Sequence, residues 1–211
     1  MTGLPLAAPR ITGADGALMG VLSVAWSGSY LMFRLLVPVL PPLTIALLRV
    51  ALGALCLHGW LMLRGRRLYR PPPGWRGFLL LGLLNNALPF AFIIWAERRV
   101  SAGLTAILLA ATPIFTTLLA HLLGQVRLTP ARVGGVVLGF AGVAVLIGPN
   151  ALAGFGAAGL AEELGLLLAA LSYAFAGLYA RRFPGVAAIQ MATGQLSGAT
   201  LVLLPAALLA D

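Results

Sequence analysis

Polar side chains lie at helical spacing inside several long apolar runs, and their types suit the lining of a solute pathway. In the first run, Ser27, Tyr30 and Arg34 recur at intervals of three and four residues, which places them on one face of a helix. Polar groups that face lipid are costly, so a one-sided stripe favours a pathway between helices. The residues predicted to line this pathway are Ser27, Tyr30, Arg34, Arg49, Asn86, Phe90, Glu97, Thr105, Thr112 and Ser172.

Two of these residues, Arg34 and Arg49, lie within apolar runs toward one membrane face. Their guanidinium groups could form a vestibule that attracts anionic or zwitterionic solutes, with Glu97 as a partial counter-ion. Two alternatives stay open. The arginines can snorkel to the interface, and the Ser and Thr hydroxyls can bond their own helix backbone or join neighbouring helices.

Two prolines, Pro89 and Pro113, fall inside apolar runs, where each removes a backbone donor and frees a carbonyl. We predict that they are hinges, because bending helices serve alternating access in transporters. Purely structural kinks are the other reading.

The residues of an enzyme site are missing from the apolar runs. The sequence has no HExxH or GxSxG motif, and its two histidines, His58 and His121, fall in different runs without a metal-ligand set. We therefore predict no catalytic residue, no metal and no cofactor.

Composition decides the class of protein. Of 211 residues, 61% are hydrophobic and 9% are charged, whereas a soluble domain is about one quarter charged. The net charge of +9 resides in short segments between apolar runs, so it does not indicate nucleic acid. We expect an all-α polytopic membrane protein of about seven transmembrane helices. Their predicted bounds are Ala17–Val37, Leu43–Leu63, Gly77–Ala96, Ala102–Leu123, Arg132–Ile147, Leu160–Ala180 and Val186–Leu209.

The arginines predict the orientation. Ten of the fourteen fall on the N-terminal side of the predicted membrane and only Arg98 and Arg99 on the other, so the positive-inside rule places the N terminus in the cytoplasm. The protein is expected in the cell (inner) membrane, with the first span retained as a helix rather than cleaved as a signal peptide.

A weak internal repeat has an offset of 145 residues. It pairs Ser27 with Ser172 and, after one insertion, Arg49 with Gln195. Because five spans separate the copies, the second enters the membrane from the opposite side, as in the inverted repeats of secondary transporters. Such a repeat implies ten helices, so we expect the chain to be C-terminally incomplete.

Short motifs resemble the EamA domain of the drug/metabolite transporter superfamily. They are Trp26-Ser27-Gly28-Ser29-Tyr30, Pro41-Pro42 with Arg49, Leu88-Pro89-Phe90, Trp95-Ala96-Glu97 and Ala111-Thr112-Pro113. The resemblance implies a cytoplasmic tail (1–15), a first five-helix unit (16–149), an external linker (150–159) and two helices of an inverted second unit (160–211). It also implies a central cavity between the two halves. Where the family often has Glu after the fourth helix, this chain has Gln125-Val126.

Together these features predict a secondary transporter of small organic metabolites that works by alternating access, most simply an exporter of amino-acid-like or drug-like solutes. The alternative is a truncated, non-transporting helical scaffold or remnant. The expected partners are the lipid bilayer and a small-molecule solute but no nucleic acid, and a homodimer is left open.

Overall fold

A computed structural model describes residues 12–65, 74–147 and 159–211. Its helices are α1 (Gly13–Leu36), α2 (Pro42–Leu63), α3 (Trp75–Ala96), α4 (Ala102–Leu122), α5 (Pro130–Ile147), α6 (Leu160–Ala180) and α7 (Ala188–Ala210). Most of the predicted N-terminal tail and external linker lie outside the described residues. The all-α prediction is confirmed, since 82% of the described residues are helical.

Six of the helices in the described ranges, namely α1 to α4, α6 and α7, are long and apolar enough to cross a bilayer. The predicted bounds agree with the observed ones to within a few residues. The largest difference is at α1, which begins at Gly13 because Thr12 and Asp15 form a capping box. The Thr12 backbone N–H donates to Asp15 Oδ2 (2.8 Å), and the Asp15 N–H donates to Thr12 Oγ1 (3.3 Å).

Three contacts between distant segments fix which helix ends lie together. At one end, Arg99 forms an ion pair with Glu162 (3.1 Å). Asp211, at the same end, accepts a hydrogen bond from Thr44 Oγ1 (2.9 Å). We call this the carboxylate end. At the opposite, arginine-rich end, Arg181 Nη1 donates to Gln125 Oε1 (3.1 Å). Consequently α6 runs in the direction opposite to α1, and α7 runs in the direction opposite to α2.

Helix α7 packs against α2 and against the first half of α3. Its crossing with α3 brings the two backbones together at Gly82 and Gly198. A Cβ atom on Gly82 would lie 2.8 Å from the carbonyl carbon of Gly198 and would also meet Gln195 O and Ala199 N. Only glycine leaves room for this approach, as at the small-residue crossings of membrane helices.

Helix α6 packs against the second half of α3 and against both halves of α4. Two apolar clusters result. One joins Phe33 of α1 to α2, α3 and α7, and the other joins α3, α4 and α6. Phe33 is the only side chain of α1, among those described, that is buried. The helices α2, α3, α4, α6 and α7 thus form the packed body that surrounds the site.

Candidate functional site

A cavity of about 810 Å³ lies among six helices at mid-span. Its walls combine aromatic and aliphatic side chains with a few polar groups. The lining residues are Trp26, Ser29 and Phe33 of α1; Arg49 and Gly53 of α2; Asn85, Asn86, Phe90 and Ile93 of α3; Leu109, Ala110, Thr112 and Pro113 of α4; Tyr173 of α6; and Gln195 and Leu196 of α7. A volume of several hundred Å³ with few polar groups is typical of small-molecule sites.

Arg49 of α2 lines this cavity, and its guanidinium group contacts two aromatic rings. Its guanidinium carbon lies 5.0 Å from the ring centroid of Phe33 and 4.6 Å from that of Phe90. Both distances are within the range of cation–π attraction, which strengthens where the cation is desolvated. The side chain is half-buried.

Two polar lining residues come from a π-helical turn of α3, Leu83–Ala87. This wider turn directs two consecutive side chains, Asn85 and Asn86, into the lining. Asn85 Nδ2 donates to Gln195 Oε1 across to α7 (3.1 Å). Asn86 is only 5% exposed, and its Nδ2 has no hydrogen-bond partner among the described residues.

The π turn and the proline that follows it together leave one backbone carbonyl of α3 without a helical hydrogen bond. The Leu88 N–H donates to Leu83 O, and the next residue, Pro89, has no N–H, so Leu84 O lacks a helical donor. Ser172 of α6 supplies it: its Oγ donates to Leu84 O at 2.7 Å. Ser172, which we predicted to line the pathway, is outside the lining set and ties α6 to the irregular turn of α3.

The second internal proline has the same consequence in α4. Pro113 cannot donate to Leu109 O, and the adjacent Thr112 Oγ1 donates to that carbonyl instead (2.7 Å). Hydroxyl groups that satisfy freed carbonyls make prolines tolerable in membrane helices. The α-helical hydrogen bonding of α4 is interrupted at Ala110–Ala111, directly beside the cavity.

Several other hydroxyls donate within their own helix, as the backbone-bonding alternative anticipated. Ser23, Thr116 and Thr200 each donate to the carbonyl four residues earlier. Ser197 does the same to Thr193 O and also contacts His58 Nε2 at 3.0 Å.

The structure brings some of the predicted residues together and separates others. Arg49, Asn86, Phe90, Thr112 and Pro113 line the cavity. The remaining predicted residues for which side chains are described, Ser27, Pro89, Glu97, Thr105 and Ser172, do not belong to the lining set. The side chains of Tyr30 and Arg34 lie outside the described part of the chain.

Three of those separate residues have distinct environments. Ser27 is exposed on α1. Thr105 is 1% exposed, and its Oγ1 has no hydrogen-bond partner among the described residues. Glu97 is 2% exposed at the carboxylate end, where Glu162 and Glu163 are also buried. The proposed pairing of Glu97 with the cavity arginine stays a prediction.

Sequence reasoning missed several lining residues, namely Trp26, Ser29, Phe33, Asn85, Tyr173 and Gln195. A signal existed for Gln195, which is the repeat counterpart of Arg49, and for Asn85, which adjoins Asn86. The π turn itself, which changes the register of α3 at these two asparagines, was not predicted from the sequence. In the described ranges, no group of three or more His, Cys, Asp or Glu residues could hold a metal ion.

Comparisons with known proteins agree with this architecture. The model of the EamA-like transporter family matches residues 15–148. An uncharacterized inner membrane transporter of Escherichia coli K12, YedA, is 30% identical over 190 residues, covering 87% of this chain and 56% of that protein. The uncharacterized transporter YoaV of Bacillus subtilis is 24% identical, covering 89% of this chain and 65% of that protein. The chain thus spans somewhat more than half the length of these relatives.

A solved crystal structure has a related fold. It superposes with a TM-score of 0.64 at 22% sequence identity, covering 83% of this chain and 61% of the other. At this identity the likeness concerns the fold alone.

Proposed function

Because this chain belongs to the EamA-like transporter family, we propose that it moves small organic solutes through the central cavity by alternating access, as a secondary transporter. The observation that carries the proposal is the cavity itself. It has about 810 Å³ of space at mid-span, and residues of six helices line it. Cavities of this kind between membrane helices are where transporters bind their solutes.

The directions of the helices support an inverted repeat. Helix α6 runs opposite to α1 and helix α7 runs opposite to α2, consistent with the ion pair Arg99–Glu162 and the bond from Thr44 to Asp211. We propose that residues 16–149 form one unit and residues 160–211 the beginning of a second. Gln195 of the second unit and Arg49 of the first then face one cavity from related positions.

The irregular segments beside the cavity supply the bending that alternating access needs. The π turn of α3 and the interruption of α4 at Ala110–Ala111 both adjoin the lining, and both are followed by proline. Their freed carbonyls are bonded by hydroxyls, which exchange partners more readily than a helical ladder does. We propose Pro89 and Pro113 as the hinges of this movement.

We further propose export of amino-acid-like or drug-like solutes from a cell whose inner membrane holds the protein with its N terminus in the cytoplasm. The ten-to-two distribution of arginines supports this orientation. An epitope tag ahead of Met1 should be protected in intact spheroplasts and accessible in inside-out vesicles. A tag after Asp211 should show the reverse, and equal exposure of both tags would contradict the orientation.

The experiment that tests transport is reconstitution of the chain in proteoliposomes with a panel of labelled solutes. Filling the cavity through Ala110→Phe should abolish most of the flux, because Ala110 lines the cavity. The matched control is Ala106→Phe, one turn earlier on the exposed face of the same helix, which should leave flux unchanged. Unimpaired flux in Ala110→Phe would show that solutes take another route, and no flux of any solute in the wild type would contradict transport by this chain.

A further inference from the structure

We infer that the paired carboxamides of Asn85 and Gln195 form a subsite for the amide or lactam edge of a flat, uncharged solute, whose ring lies among the aromatic side chains of the cavity. This inference rests on the proposed function, because it names the class of solute that the same cavity accepts. The hydrogen bonding of the two carboxamides, their place at a helix crossing and the aromatic lining each support it.

The first support is the hydrogen-bonding capacity that the pair leaves unused. Both side chains line the cavity, and Asn85 Nδ2 donates to Gln195 Oε1 at 3.1 Å. Neither side chain has another hydrogen bond to the described residues, so Asn85 Oδ1 and Gln195 Nε2 lack a partner among them. A carboxamide offers an acceptor oxygen and two donor hydrogens. The pair therefore keeps an acceptor on one residue and a donor on the other.

The direction of the bond between the two carboxamides does not change this result. If oxygen and nitrogen exchange places in both side chains, Gln195 donates to Asn85, and the pair again keeps one acceptor and one donor. A solute group that carries a donor beside an acceptor matches both. Carboxamides and lactams have this arrangement, whereas a carboxylate has acceptors only and an amidinium group has donors only. The pair therefore favours a neutral amide edge over either ion.

The second support is the place of the pair at the crossing of α3 and α7. Asn85 lies three residues after Gly82, and Gln195 lies three residues before Gly198. A Cβ atom on Gly82 would meet Gln195 O, so the two backbones are in contact beside the pair. Groups that are already restrained bind more tightly, because less conformational freedom is lost on binding. The crossing thus holds the two carboxamides in position for a solute.

The third support is the aromatic part of the lining, to which Trp26, Phe33, Phe90 and Tyr173 contribute. Flat solute rings stack on aromatic side chains, and this contact tolerates many ring types. Asn and Gln side chains pair with the edge of such a ring through one donor and one acceptor, as they do with adenine. The volume of about 810 Å³ is in the range of sites for drug-sized molecules. A planar aromatic or heterocyclic amide satisfies both parts of the cavity.

The test uses three solutes of nearly the same flat shape that differ in their head groups: benzamide, benzoate and benzamidine. Their binding to the purified full chain in lipid nanodiscs is measured by isothermal titration calorimetry. We expect benzamide to bind about tenfold more tightly than either ion, because each ion leaves one polar group of the pair without a partner. Absence of benzamide binding, or binding of either ion that is as tight, would overturn the inference.

Substitutions assign the preference to the two carboxamides. Gln195→Leu and Asn85→Leu should each remove most of the preference for benzamide. Asn85→Asp should instead raise the affinity for benzamidine above that for benzamide, because a carboxylate accepts hydrogen bonds from the amidinium group and pairs with its charge. A gain of binding of this kind cannot come from a folding defect. An unchanged order of affinities in Asn85→Asp would overturn the inference.

The matched control is Thr200→Val, on the same helix as Gln195. Thr200 lies outside the lining set, and its Oγ1 donates to Leu196 O within α7. This variant should keep the wild-type order of the three affinities. If Gln195→Leu keeps that order as well, the pair serves only to join α3 to α7 and the inference is overturned. Loss of the preference in Thr200→Val to the same extent as in Gln195→Leu would also overturn it.

Flux measurements in proteoliposomes separate this inference from the proposed function. Flux of solutes in the labelled panel, without a preference of the cavity for benzamide, removes the amide subsite and leaves the transporter intact. A preference for benzamide that depends on Gln195, without flux of any solute, supports the subsite and contradicts the proposed function. If both proposals hold, unlabelled benzamide should reduce the flux of the wild type and should not reduce that of Gln195→Leu.

Discussion

The close crossing of α3 and α7 predicts that a single added methyl group destabilises the protein. In Gly82→Ala, the new Cβ would lie 2.8 Å from the Gly198 carbonyl carbon and would also meet Gln195 O and Ala199 N. All three atoms belong to the backbone of α7, so no side chain can rotate away. Ordinary van der Waals contact begins near 3.4 Å, so the two helices must separate by at least about 0.6 Å at this point, because packed interiors leave no spare room.

The magnitude follows from two opposing effects. Overpacking of a packed interior costs about 1–3 kcal/mol. Alanine is favoured over glycine in a helix by about 0.5–1 kcal/mol. The net expected loss is up to about 2.5 kcal/mol, and a protein of this size loses roughly 2–4 °C of thermal midpoint per kcal/mol. The midpoint of Gly82→Ala should thus fall, by up to about 10 °C.

The assay is thermal unfolding in detergent followed by far-ultraviolet circular dichroism at one fixed scan rate. Gly177→Ala is the matched control, because a Cβ on Gly177 of α6 meets nothing within 4 Å and only the helix propensity changes. Its midpoint should equal or exceed that of the wild type. If Gly82→Ala is as stable as Gly177→Ala, the backbone contact of α3 with α7 is refuted.

The crossing also affects the cavity, because Gln195 contributes both a backbone atom to the contact and a side chain to the lining. A displacement of that size would lengthen its 3.1 Å hydrogen bond with Asn85 to about 3.7 Å, which is beyond hydrogen-bond range. Gly82→Ala should therefore also weaken solute binding in the cavity, whereas Gly177→Ala should leave binding unchanged.

Three further substitutions probe contacts between helices by the same unfolding assay. Ser172→Ala leaves a carbonyl of the π turn without a donor and should lower the free energy of unfolding by about 1 kcal/mol or more. The control, Ser23→Ala, removes only a hydrogen bond within α1. Equal midpoints of the two variants would contradict the hydrogen bond between α6 and α3. Gln125→Glu should raise the free energy of unfolding by at most about 1 kcal/mol through an ion pair with Arg181. This gain should vanish at high salt or when Arg181 is replaced by Gln. A gain that persists under those conditions would have another source. Asp211→Asn should lower the free energy of unfolding by about 0.5–1 kcal/mol, because the Asp211 carboxylate caps the start of α2. An unchanged midpoint would contradict this cap.

The prolines show how far local sequence reasoning extends. Pro89 and Pro113 were expected to free carbonyls, and chemistry alone requires that, since proline has no N–H. For Pro113 the adjacent Thr112 bonds the freed carbonyl, so a local pattern could suggest the outcome. For Pro89 the donor is Ser172, which is 88 residues away from the carbonyl that it bonds. Only the packing of α6 on α3 identifies that pair.

Arg49 of the candidate site shows the same difference between what the local sequence indicates and what the packing of helices decides. Its place inside an apolar run marked it as a functional candidate, because charged residues within membrane spans are costly. The sequence left snorkelling and a solute vestibule as equal alternatives. The structure places its guanidinium group on Phe33 and Phe90 in a central cavity, and these two rings reach it from different helices.

The sequence by itself determined that this is a membrane protein of apolar helices, since 61% hydrophobic residues and short polar breaks leave no other way to satisfy the backbone in lipid. It also determined the helix bounds, because caps, prolines and apolar length act locally. Only the tertiary structure decided which polar groups meet. Asn85 and Asn86 lie in the π turn and line one cavity with Gln195, which the contact of Gly82 with Gly198 brings to them. Contacts of this kind depend on how separate helices cross, and the periodicity of any single helix carries no information about a crossing.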